Sequence, residues 1–482
     1  MRRNLRFLVL GAGMSGILAG IRLKQEGLED FEILEMAGDV GGTWRDNTYP
    51  GLSCDVPAHT YGYSFERNWR WTGFYASGPE LGEYFRRCAH KYGLMPHVRL
   101  NTRVTDIRRE HGRWVVESAD GQTREADIVI NCFGVLCHPK LPDIPGLKRF
   151  KGAMFHSARW DHSVPLDGRR IGVVGTGSTA AQITAALAPR AGHYSLFQRT
   201  AQWVAPAYAL QRSEFMRGLH RIIPGFSRLT GKLQGELFYE IAKGVTGDSD
   251  PAWRAVDWLC RRNLARVRDP ELRRALTPDF KVGCRRLIFC DGFYEAIEAT
   301  NAELVTAGIK GIEAGGIRTV DGRLHELDVL VLATGFHALN YTYGFEVTND
   351  AGARLSEQWT DGARALHGVA VSGFPNYFML IGPHSPVGNF SLTAISEIQM
   401  DYLLQLIEPI RRGEASAIAA DPDAERRYYD YLGAGMAKTV WSSGCNRSWY
   451  LGKDGQPQLY PYPPTTFVRE LATPDLSEFV VA

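Results

Sequence analysis

The stretch FLVLGAGMSG, residues 7–16, predicts the fold of the N-terminal part of the chain. Its apolar start is too short for a helix and is bounded by glycine, so it predicts a buried parallel strand. Gly11, Gly13 and Gly16 then allow a tight turn, a close approach of the backbone to a pyrophosphate, and close packing of the next helix on the strand. The order strand, glycine-rich turn and helix is typical of a dinucleotide-binding unit.

The unit is completed by FEILE, residues 31–35, which predicts a second strand ending at Glu35. A carboxylate about 20 residues beyond the glycine turn can accept hydrogen bonds from ribose hydroxyls. A lone G-x-G-x-x-G motif is a weak signal. Here, however, it stands between a predicted strand and a predicted helix, and an acidic residue follows at the expected distance. We therefore predict a βαβ nucleotide site at the N-terminus.

A second copy of this order occupies residues 169–200, RRIGVVGTGSTAAQITAALAPRAGHYSLFQRT. Ala180 replaces the third glycine and still permits close packing of the helix on the strand. Arg199 stands at the end of the second strand, where an NAD site would carry an acid, and an arginine there suits the 2'-phosphate of NADPH. A plain surface charge is the alternative for Arg199, but its position favours NADPH.

The composition is that of an ordinary globular protein with more than one domain. The 482 residues exceed the roughly 250 to 300 at which a single core stops growing. Lys and Arg number 55 against 53 Asp and Glu, and no basic tract is present, so nucleic acid is not an expected partner. No apolar run reaches the ~18 residues of a membrane span, and MRRNLRFLVLGAG is interpreted as the first strand and not as a targeting segment.

The eight cysteines are scattered along the chain, without a C-x-x-C pair or a His/Cys spacing that suits zinc. No metal site is therefore predicted. Reduced and mostly buried thiols, in a cytoplasmic protein, are the default expectation for such a pattern.

Residues 41–57, GGTWRDNTYPGLSCDVP, are dense in glycine and proline and predict a loop of constrained shape, neither strand nor helix. A surface turn is the plain interpretation. Trp44, Tyr49 and Asp55, however, are costly residue types to leave there without a partner. Because loops commonly carry sites, we expect this segment to be functional.

Between the two nucleotide units lies FKGAMFHSARWD, residues 150–161, a short connector with aromatic residues near both ends. Taken alone, it is interpreted as a linker whose aromatic side chains cover a joint between domains. Its spacing is more specific, because Phe150, Gly152, His156 and Trp160 fit F-x-G-x-x-x-H-x-x-x-W. This spacing resembles the fingerprint of Baeyer-Villiger monooxygenases, and we expect the four residues to couple the domains and not to take part in the chemistry.

The resemblance extends to residues 41–57, which are similar to the family segment that lies along the flavin. It implies that the active-site aspartate of the family falls on Asp55. Two departures stand out. Thr48 occupies a position where many relatives carry arginine, and at Cys132–Gly134 only the glycine of the usual alanine-threonine-glycine turn is kept.

The resemblance also covers GCRRLIF, residues 283–289, and the C-terminal stretch. In the first, it implies that Arg285 contacts the 2'-phosphate and that Arg286 is the catalytic arginine, oriented by the active-site aspartate. Cys445 to Phe467 resemble the mobile loop of the family, with Trp449 as the residue facing the nicotinamide.

Two further segments predict the return of the chain to the first nucleotide domain. DVLVLATGF, residues 328–336, predicts a buried strand followed by a turn. In flavoproteins of this architecture, such a turn is seen where the chain returns to the FAD-binding domain. FPNYFMLIGPHSPVGNFS, residues 374–391, predicts a strand and a turn before a helix at Leu392. Gly382 and Gly388 would bring backbone amides near the helix N-terminus, where the dipole can assist an anionic flavin.

The family resemblance implies an α/β fold with two dinucleotide-binding, Rossmann-like domains and a helical insertion, the architecture of two-dinucleotide-binding-domain flavoproteins. The expected FAD-binding domain comprises residues 1–140 and 336–482, the second part including the mobile loop. Residues 141–165 form the expected linker with the fingerprint. The expected NADPH-binding domain is 166–335, and its insertion covers about 205–280, where helical spacing replaces glycine turns.

The activity implied by the resemblance is that of an FAD- and NADPH-dependent Baeyer-Villiger monooxygenase. Such an enzyme inserts one atom of O2 next to a ketone carbonyl through a peroxyflavin and gives an ester or lactone. The alternatives are a flavin monooxygenase that oxygenates nitrogen or sulfur, and an FAD- and NADPH-binding redox module without oxygenation. Trp160 and Arg286 favour the ketone oxidant.

Apolar and aromatic residues at 287–293 and 341–343 favour an apolar ketone as substrate. Whether this ketone is cyclic, linear, aromatic or a steroid stays open. The oligomeric state is not predicted. The residues expected to bind the two cofactors are Gly11, Gly13, Gly16, Glu35, Thr43, Trp44, Asp55, Gly175, Gly177, Ser178, Thr179, Arg199, Thr200, Arg285 and Trp449.

Overall fold

The computed structural model describes residues 3–207, 250–338, 340–342, 344–385, 390–442 and 458–482, together with short pieces between 218 and 236. Two five-stranded sheets organise these residues. Each sheet carries a glycine-rich turn after its central strand, so both nucleotide units predicted from the sequence are present.

The first sheet consists of β1 (Phe7–Leu10), β2 (Phe31–Leu34), β5 (Val98–Arg99), β9 (Ile128–Asn131) and β21 (Tyr377–Met379). The strand order is β21-β9-β1-β2-β5, and all pairs are parallel. β1 and β9 are buried throughout, as expected for a parallel sheet covered on both faces. Since β21 comes from the C-terminal part of the chain, the sheet is built from both ends of the sequence.

The second sheet consists of β10 (Ala153–His156), β11 (Arg170–Val174), β12 (His193–Phe197), β15 (Ala302–Val305) and β19 (Val329–Leu332). The order is β10-β19-β11-β12-β15, again with parallel pairs. β10 lies within the stretch that the sequence predicts as a linker. The difference arises because β10 pairs with β19, a strand far along the chain that local sequence does not reveal.

The remaining strands form smaller sheets beside these two. They are β3 (Ser53–Pro57) with β4 (Tyr75–Ser77); β6 (Val104–Glu110), β7 (Arg113–Ser118), β8 (Thr123–Ala126) and β20 (Glu346–Thr348); β13 (Val204–Ala205) with β14 (Ile288–Phe289); β16 (Ile309–Glu313), β17 (Gly316–Thr319) and β18 (Leu324–Glu326); and β22 (Ile418–Ala420) with β23 (Phe479–Val481).

Helices cover the two large sheets. Their bounds are α1 (Met14–Gln25), α2 (Thr43–Asp46), α3 (Gly78–Lys91), α4 (Ser178–Leu187), α5 (Asp250–Leu264), α6 (Pro270–Ala275), α7 (Phe293–Ile297), α8 (Leu355–Gln358), α9 (Leu392–Leu406), α10 (Glu408–Arg412), α11 (Pro422–Met436) and α12 (Pro464–Glu470). Apolar residues of α1, α3 and α9 share one core with β1, and those of α4 and α7 share another with β11.

The interpretation of residues 41–57 as a loop without helix or strand is wrong at two places. Residues 43–46 form α2, a single helical turn, and residues 53–57 form β3. One turn is too short to give a periodic signal, and β3 depends on its pairing with β4.

The described part of the range predicted for the helical insertion does contain helices. α5 and α6 both lie inside the predicted range, and Asp269 caps α6 by accepting hydrogen bonds from the backbone N–H groups of Glu271 and Leu272. Residues 208–217 and 237–249 lie outside the described residues, as do Gly388 and 443–457.

Six cysteines are free thiols, as expected: Cys54, Cys88, Cys132, Cys137, Cys260 and Cys290. Cys284 is disulfide-bonded, so the expectation of reduced thiols is wrong for this residue. Among the described helices, none combines the length and the apolar character that crossing a bilayer requires.

Candidate active site between the two nucleotide units

A cavity of about 670 Å³ is lined by residues of both nucleotide units. This volume is typical of a site for small molecules and cofactors. Ten of the residues predicted from the sequence line it: Gly11, Gly13, Glu35, Thr43, Trp44, Asp55, Gly177, Ser178, Thr179 and Arg286. Five do not, namely Gly16, Gly175, Arg199, Thr200 and Arg285, and Trp449 lies outside the described residues.

The first glycine turn is built on close backbone contacts. Gly11 has a φ of 97°, and a Cβ there would lie 2.9 Å from the carbonyl oxygen of Cys132. A Cβ on Gly16 would lie 1.8 Å from the carbonyl oxygen of Gly11, which no side chain could occupy. α1 begins directly after Gly13, and its first backbone N–H groups are therefore presented to the cavity without a side chain in front of them.

Glu35 is 5% exposed and already has protein partners. Its carboxylate accepts hydrogen bonds from the backbone N–H groups of Ala12, at 2.8 Å, and Ala37, at 2.9 Å. Nη1 of Arg45 lies 3.0 Å from Oε1 of Glu35. The carboxylate is thus fixed beside the glycine turn, where it lines the cavity, and its contact with a ribose stays a prediction.

The second glycine turn repeats the geometry of the first. Gly175 has a φ of 123°, and a Cβ there would lie 2.2 Å from the carbonyl oxygen of Ala333. α4 begins at Ser178, directly after Gly177, and Ser178 and Thr179 line the cavity. Arg199 is exposed beyond the end of β12, and its contact with a cofactor phosphate stays a prediction.

Arg286 and Asp55 form a bidentate ion pair across the cavity wall. Nε of Arg286 donates to Oδ2 of Asp55 at 2.5 Å, and Nη2 donates to Oδ1 at 2.7 Å. Asp55 lies on β3, and Arg286 is placed by β14, which pairs with β13. Paired hydrogen bonds of this kind fix both the position and the plane of the guanidinium.

Sequence reasoning missed the contact that joins the two units near this pair. The Tyr49 hydroxyl donates to Oε1 of Gln182 at 2.9 Å, and Nε2 of Gln182 donates to the carbonyl oxygen of Ser53 at 2.9 Å. A Cβ on Gly51 would lie 2.6 Å from the carbonyl oxygen of Gln182, so the segment before β3 packs directly on α4. A tyrosine at position 49 of the loop indicated that its side chain has a partner, because leaving it without one is unfavourable. Nothing in the sequence identified Gln182 as that partner.

Tyr49→Phe should lower the free energy of unfolding by about 1–3 kcal/mol, because it leaves the buried Oε1 of Gln182 without its donor while the aromatic ring stays in place. Burial raises the pKa of Tyr49, so the hydroxyl is present as a donor at neutral pH. Urea unfolding of the two proteins measures the difference. An unchanged midpoint and slope would show that this hydrogen bond does not stabilise the fold.

The fingerprint residues lie at the joint between the units. His156 accepts a hydrogen bond at Nδ1 from the backbone N–H of Ala158, at 3.1 Å, so Nε2 carries the proton and donates to the carbonyl oxygen of Gly335, at 3.1 Å. Burial lowers the pKa of His156, which favours this neutral form. The same Gly335 carbonyl accepts from the backbone N–H of Lys140, at 2.8 Å. His156 therefore ties both chain crossings between the units together.

The other fingerprint positions pack around this joint. A Cβ on Gly152 would lie 2.4 Å from the carbonyl oxygen of Asp328 and 2.7 Å from the ring of Phe150. Trp160 is 9% exposed and contacts Phe155 edge to face, with ring centroids 4.8 Å apart. These contacts place the four residues where they could couple the two units. The coupling role itself stays a prediction.

Two neighbouring residues add detail to the site. The guanidinium of Arg285 lies 4.5 Å above the ring of Phe280, which holds it by a cation–π contact. Thr48, the departure from the family pattern, has its hydroxyl 2.8 Å from Nε2 of His162, just beyond the fingerprint. The position is thus used for a contact between the first unit and the stretch that follows the fingerprint.

Comparison with known proteins identifies the relatives of this chain. Residues 4–210 match the family model described as flavin-binding monooxygenase-like. An uncharacterized monooxygenase of Mycobacterium tuberculosis is 46% identical over 96% of this chain and 93% of its own length. A Baeyer-Villiger monooxygenase of Streptomyces coelicolor is 36% identical over 100% of this chain and 93% of its own length.

Solved structures show the same likeness over both units. A cyclohexanone monooxygenase from Rhodococcus sp. Phi1, bound to NADP+, superposes with a TM-score of 0.88 at 28% identity and covers 99% of each chain. An oxidized steroid monooxygenase bound to NADP superposes with a TM-score of 0.86 at 29% identity, also over 99% of each chain.

Proposed function

Because the chain belongs to the Baeyer-Villiger monooxygenase family, we propose that Arg286 and Asp55 carry its reaction, the insertion of one atom of O2 next to a ketone carbonyl to give an ester or lactone. The observation that carries this assignment is the bidentate pair of these two residues in the wall of the shared cavity. The names of the relatives favour ketone oxidation over oxygenation of nitrogen or sulfur, and over a redox module without oxygenation.

The first unit fits FAD. The cradle leaves no room for a Cβ at Gly11 or Gly16, and with Gly13 it would present backbone N–H groups to the pyrophosphate. Glu35 would face the ribose, and Thr43 and Trp44 would lie along the flavin, since both line the same cavity. The family match and the relatives support FAD as the cofactor of this unit.

The second unit fits NADPH. Gly175, Gly177, Ser178 and Thr179 form the corresponding turn and helix start. Arg199 and Thr200 at the end of β12, with Arg285, would hold the 2'-phosphate by charge-assisted hydrogen bonds. Trp449 is proposed to face the nicotinamide. When bound, the two cofactors supply the electrons with which O2 is activated.

Arg286 stabilises the negative charge that develops on oxygen during the insertion. Its guanidinium stays protonated at any working pH and presents N–H donors into the cavity. Asp55 holds two of these donors, so it orients the guanidinium and offsets its charge when no other anion is near. Tyr61, whose pKa is raised by burial, and Trp44 share a hydrogen bond of 3.3 Å beside this pair and shape the same wall.

The expectation of an apolar ketone loses its original support. Leu287, Phe289 and Phe293 pack in the core of the second unit, and Tyr341 packs in a core of the first; none of them lines the described cavity. Tyr343, the other aromatic residue of the expectation, lies outside the described residues. Apolar side chains that do line the cavity include Leu52, Val56, Phe390 and Leu392. We therefore keep an apolar ketone as a proposal on these residues. A cytoplasmic location stays a proposal that the six free thiols favour and the disulfide bond of Cys284 opposes.

The test of the function is a panel of cyclic, linear, aromatic and steroid ketones. The purified protein should be yellow with bound FAD. It should consume NADPH faster when its preferred ketone is present, and the product should be heavier than that ketone by one oxygen atom, about 16 mass units. Protein that stays colourless after addition of FAD, or NADPH oxidation that no ketone accelerates, would contradict the proposal.

Arg199→Ala should erode the preference for NADPH over NADH, mainly through the Michaelis constant, because a charge-assisted contact to the 2'-phosphate contributes about 1.5–3 kcal/mol before desolvation. Arg285→Ala should act in the same direction. Steady-state kinetics with both cofactors measure the ratio, and Arg190→Ala, an exposed arginine paired with Asp167, serves as the control. An unchanged ratio in both variants would place the phosphate elsewhere.

A further inference from the structure

The turn that follows β21 has a backbone conformation unusual for its residues. Ile381 has a φ of 56° and His384 a φ of 60°, in the left-handed region that disfavours side chains with a Cβ, and β-branched ones above all. Ile381 is 3% exposed and lines the cavity. A strained residue thus forms part of the cavity wall, and strain of this kind persists only where the surroundings hold it.

Gln399, on α9, supplies that support. Its side chain is completely buried, and Oε1 accepts a hydrogen bond from the backbone N–H of Ile381 at 2.8 Å. Nε2 donates to Oγ of Ser385 at 2.8 Å and to the carbonyl oxygen of His367 at 3.2 Å. These partners fix the orientation of the amide, because only its oxygen can accept from an N–H and only its nitrogen can donate to a carbonyl.

The backbone around the turn is too closely packed to adopt another shape independently. A Cβ on Gly382 would lie 2.3 Å from the carbonyl oxygen of Gly368, and one on Gly368 would lie 2.1 Å from Oγ of Ser385. Ser385 in turn donates to the carbonyl oxygen of Gly382 at 2.7 Å. A change at Gln399 is therefore transmitted to Ile381.

We propose that Gln399 is a positioning residue, which holds Ile381 in the left-handed conformation and thereby shapes the wall of the flavin cavity. Gln399 is not among the residues that line the described cavity, so it acts through Ile381. The inference rests on the proposed function, because that proposal assigns FAD to this cavity.

Gln399→Met tests the inference, since methionine is close to glutamine in size and removes both hydrogen-bonding functions. FAD should bind about tenfold more weakly, and the visible circular dichroism of the bound flavin should change, because the cavity wall alters. Gln405→Met is the matched control on the same helix. Its exposed amide donates at 3.2 Å to the carbonyl oxygens of Asp401 and Ala472, and this variant should keep the affinity and the spectrum of the parent.

Ile381→Gly separates positioning from general support of the fold, because glycine adopts a positive φ without strain. The loss of FAD affinity caused by Gln399→Met should be smaller in the Ile381→Gly protein than in the parent. An equal loss in both backgrounds, or a parent-like spectrum and affinity of Gln399→Met, would overturn the inference.

Ser385→Ala takes over if Gln399→Met yields no soluble protein. It removes one of the acceptors that fix the Gln399 amide, so the visible circular dichroism of the bound flavin should change in the same direction, and a parent-like spectrum would overturn the inference. Failure of the unaltered protein to bind FAD would contradict the proposed function instead, so the two failures are distinguishable.

Discussion

Replacing Arg286 by alanine should lower ester or lactone formation by about 10²- to 10³-fold, because the oxyanion loses its charged partner. FAD and NADPH should still bind, and NADPH should still be consumed slowly, with hydrogen peroxide in place of the organic product. Product analysis together with peroxide and NADPH assays separates these outcomes. Arg286→Lys should restore little, because an ammonium cannot reproduce the planar, parallel pair of hydrogen bonds that the guanidinium gives to Asp55.

Arg274→Ala is the control for this prediction, since Arg274 on α6 is 80% exposed and pairs only loosely with Glu271. It should react at the parent rate. If Arg286→Ala formed product at the parent rate as well, the assignment of the catalytic arginine would be wrong. The case for the reaction would then depend on the fingerprint and on the relatives alone.

Gly16→Ala should weaken FAD binding more than tenfold, because in this turn its methyl group would lie 1.8 Å from the carbonyl oxygen of Gly11. Neither atom is at the end of a flexible side chain, so α1 has to move away from β1 or the turn has to open. Overpacking of this kind costs about 1–3 kcal/mol or more and here falls on the pyrophosphate cradle itself. The ratio of FAD to protein after purification should fall more than tenfold.

Gly433→Ala, on α11, is the matched control, because a Cβ there meets nothing within 4 Å. It should leave the FAD content unchanged and stabilise the helix by about 0.5–1 kcal/mol. Full FAD occupancy of Gly16→Ala would contradict this prediction and show that the turn adapts to a methyl group without loss of the cofactor.

The two nucleotide units were predictable because their signals are local. A strand, a glycine turn and a helix follow one another within about 30 residues, and the structure has them at β1 to α1 and β11 to α4. The errors fall where structure depends on distant partners. β10 needs β19, and β3 needs β4, so neither strand could be read from its own residues.

The site was predictable only in part. Asp55 and Arg286 are 231 positions apart, and it was the family resemblance, not any spacing, that brought them together. Gln182 and Gln399 were missed, because a buried glutamine has no distinguishing sequence pattern, and its importance lies in the groups that surround it. The disulfide bond of Cys284 was missed for a similar reason, since scattered cysteines do not reveal their partners.

The division of the ion pair between the two units makes the proposed reaction depend on their contact. Asp55 lies on β3, and Arg286 lies two residues before β14. Either unit alone would carry only one partner of the pair. If Arg286 and Asp55 act as proposed, oxygenation therefore needs both units in contact, and loosening that contact should reduce product formation even where each cofactor still binds.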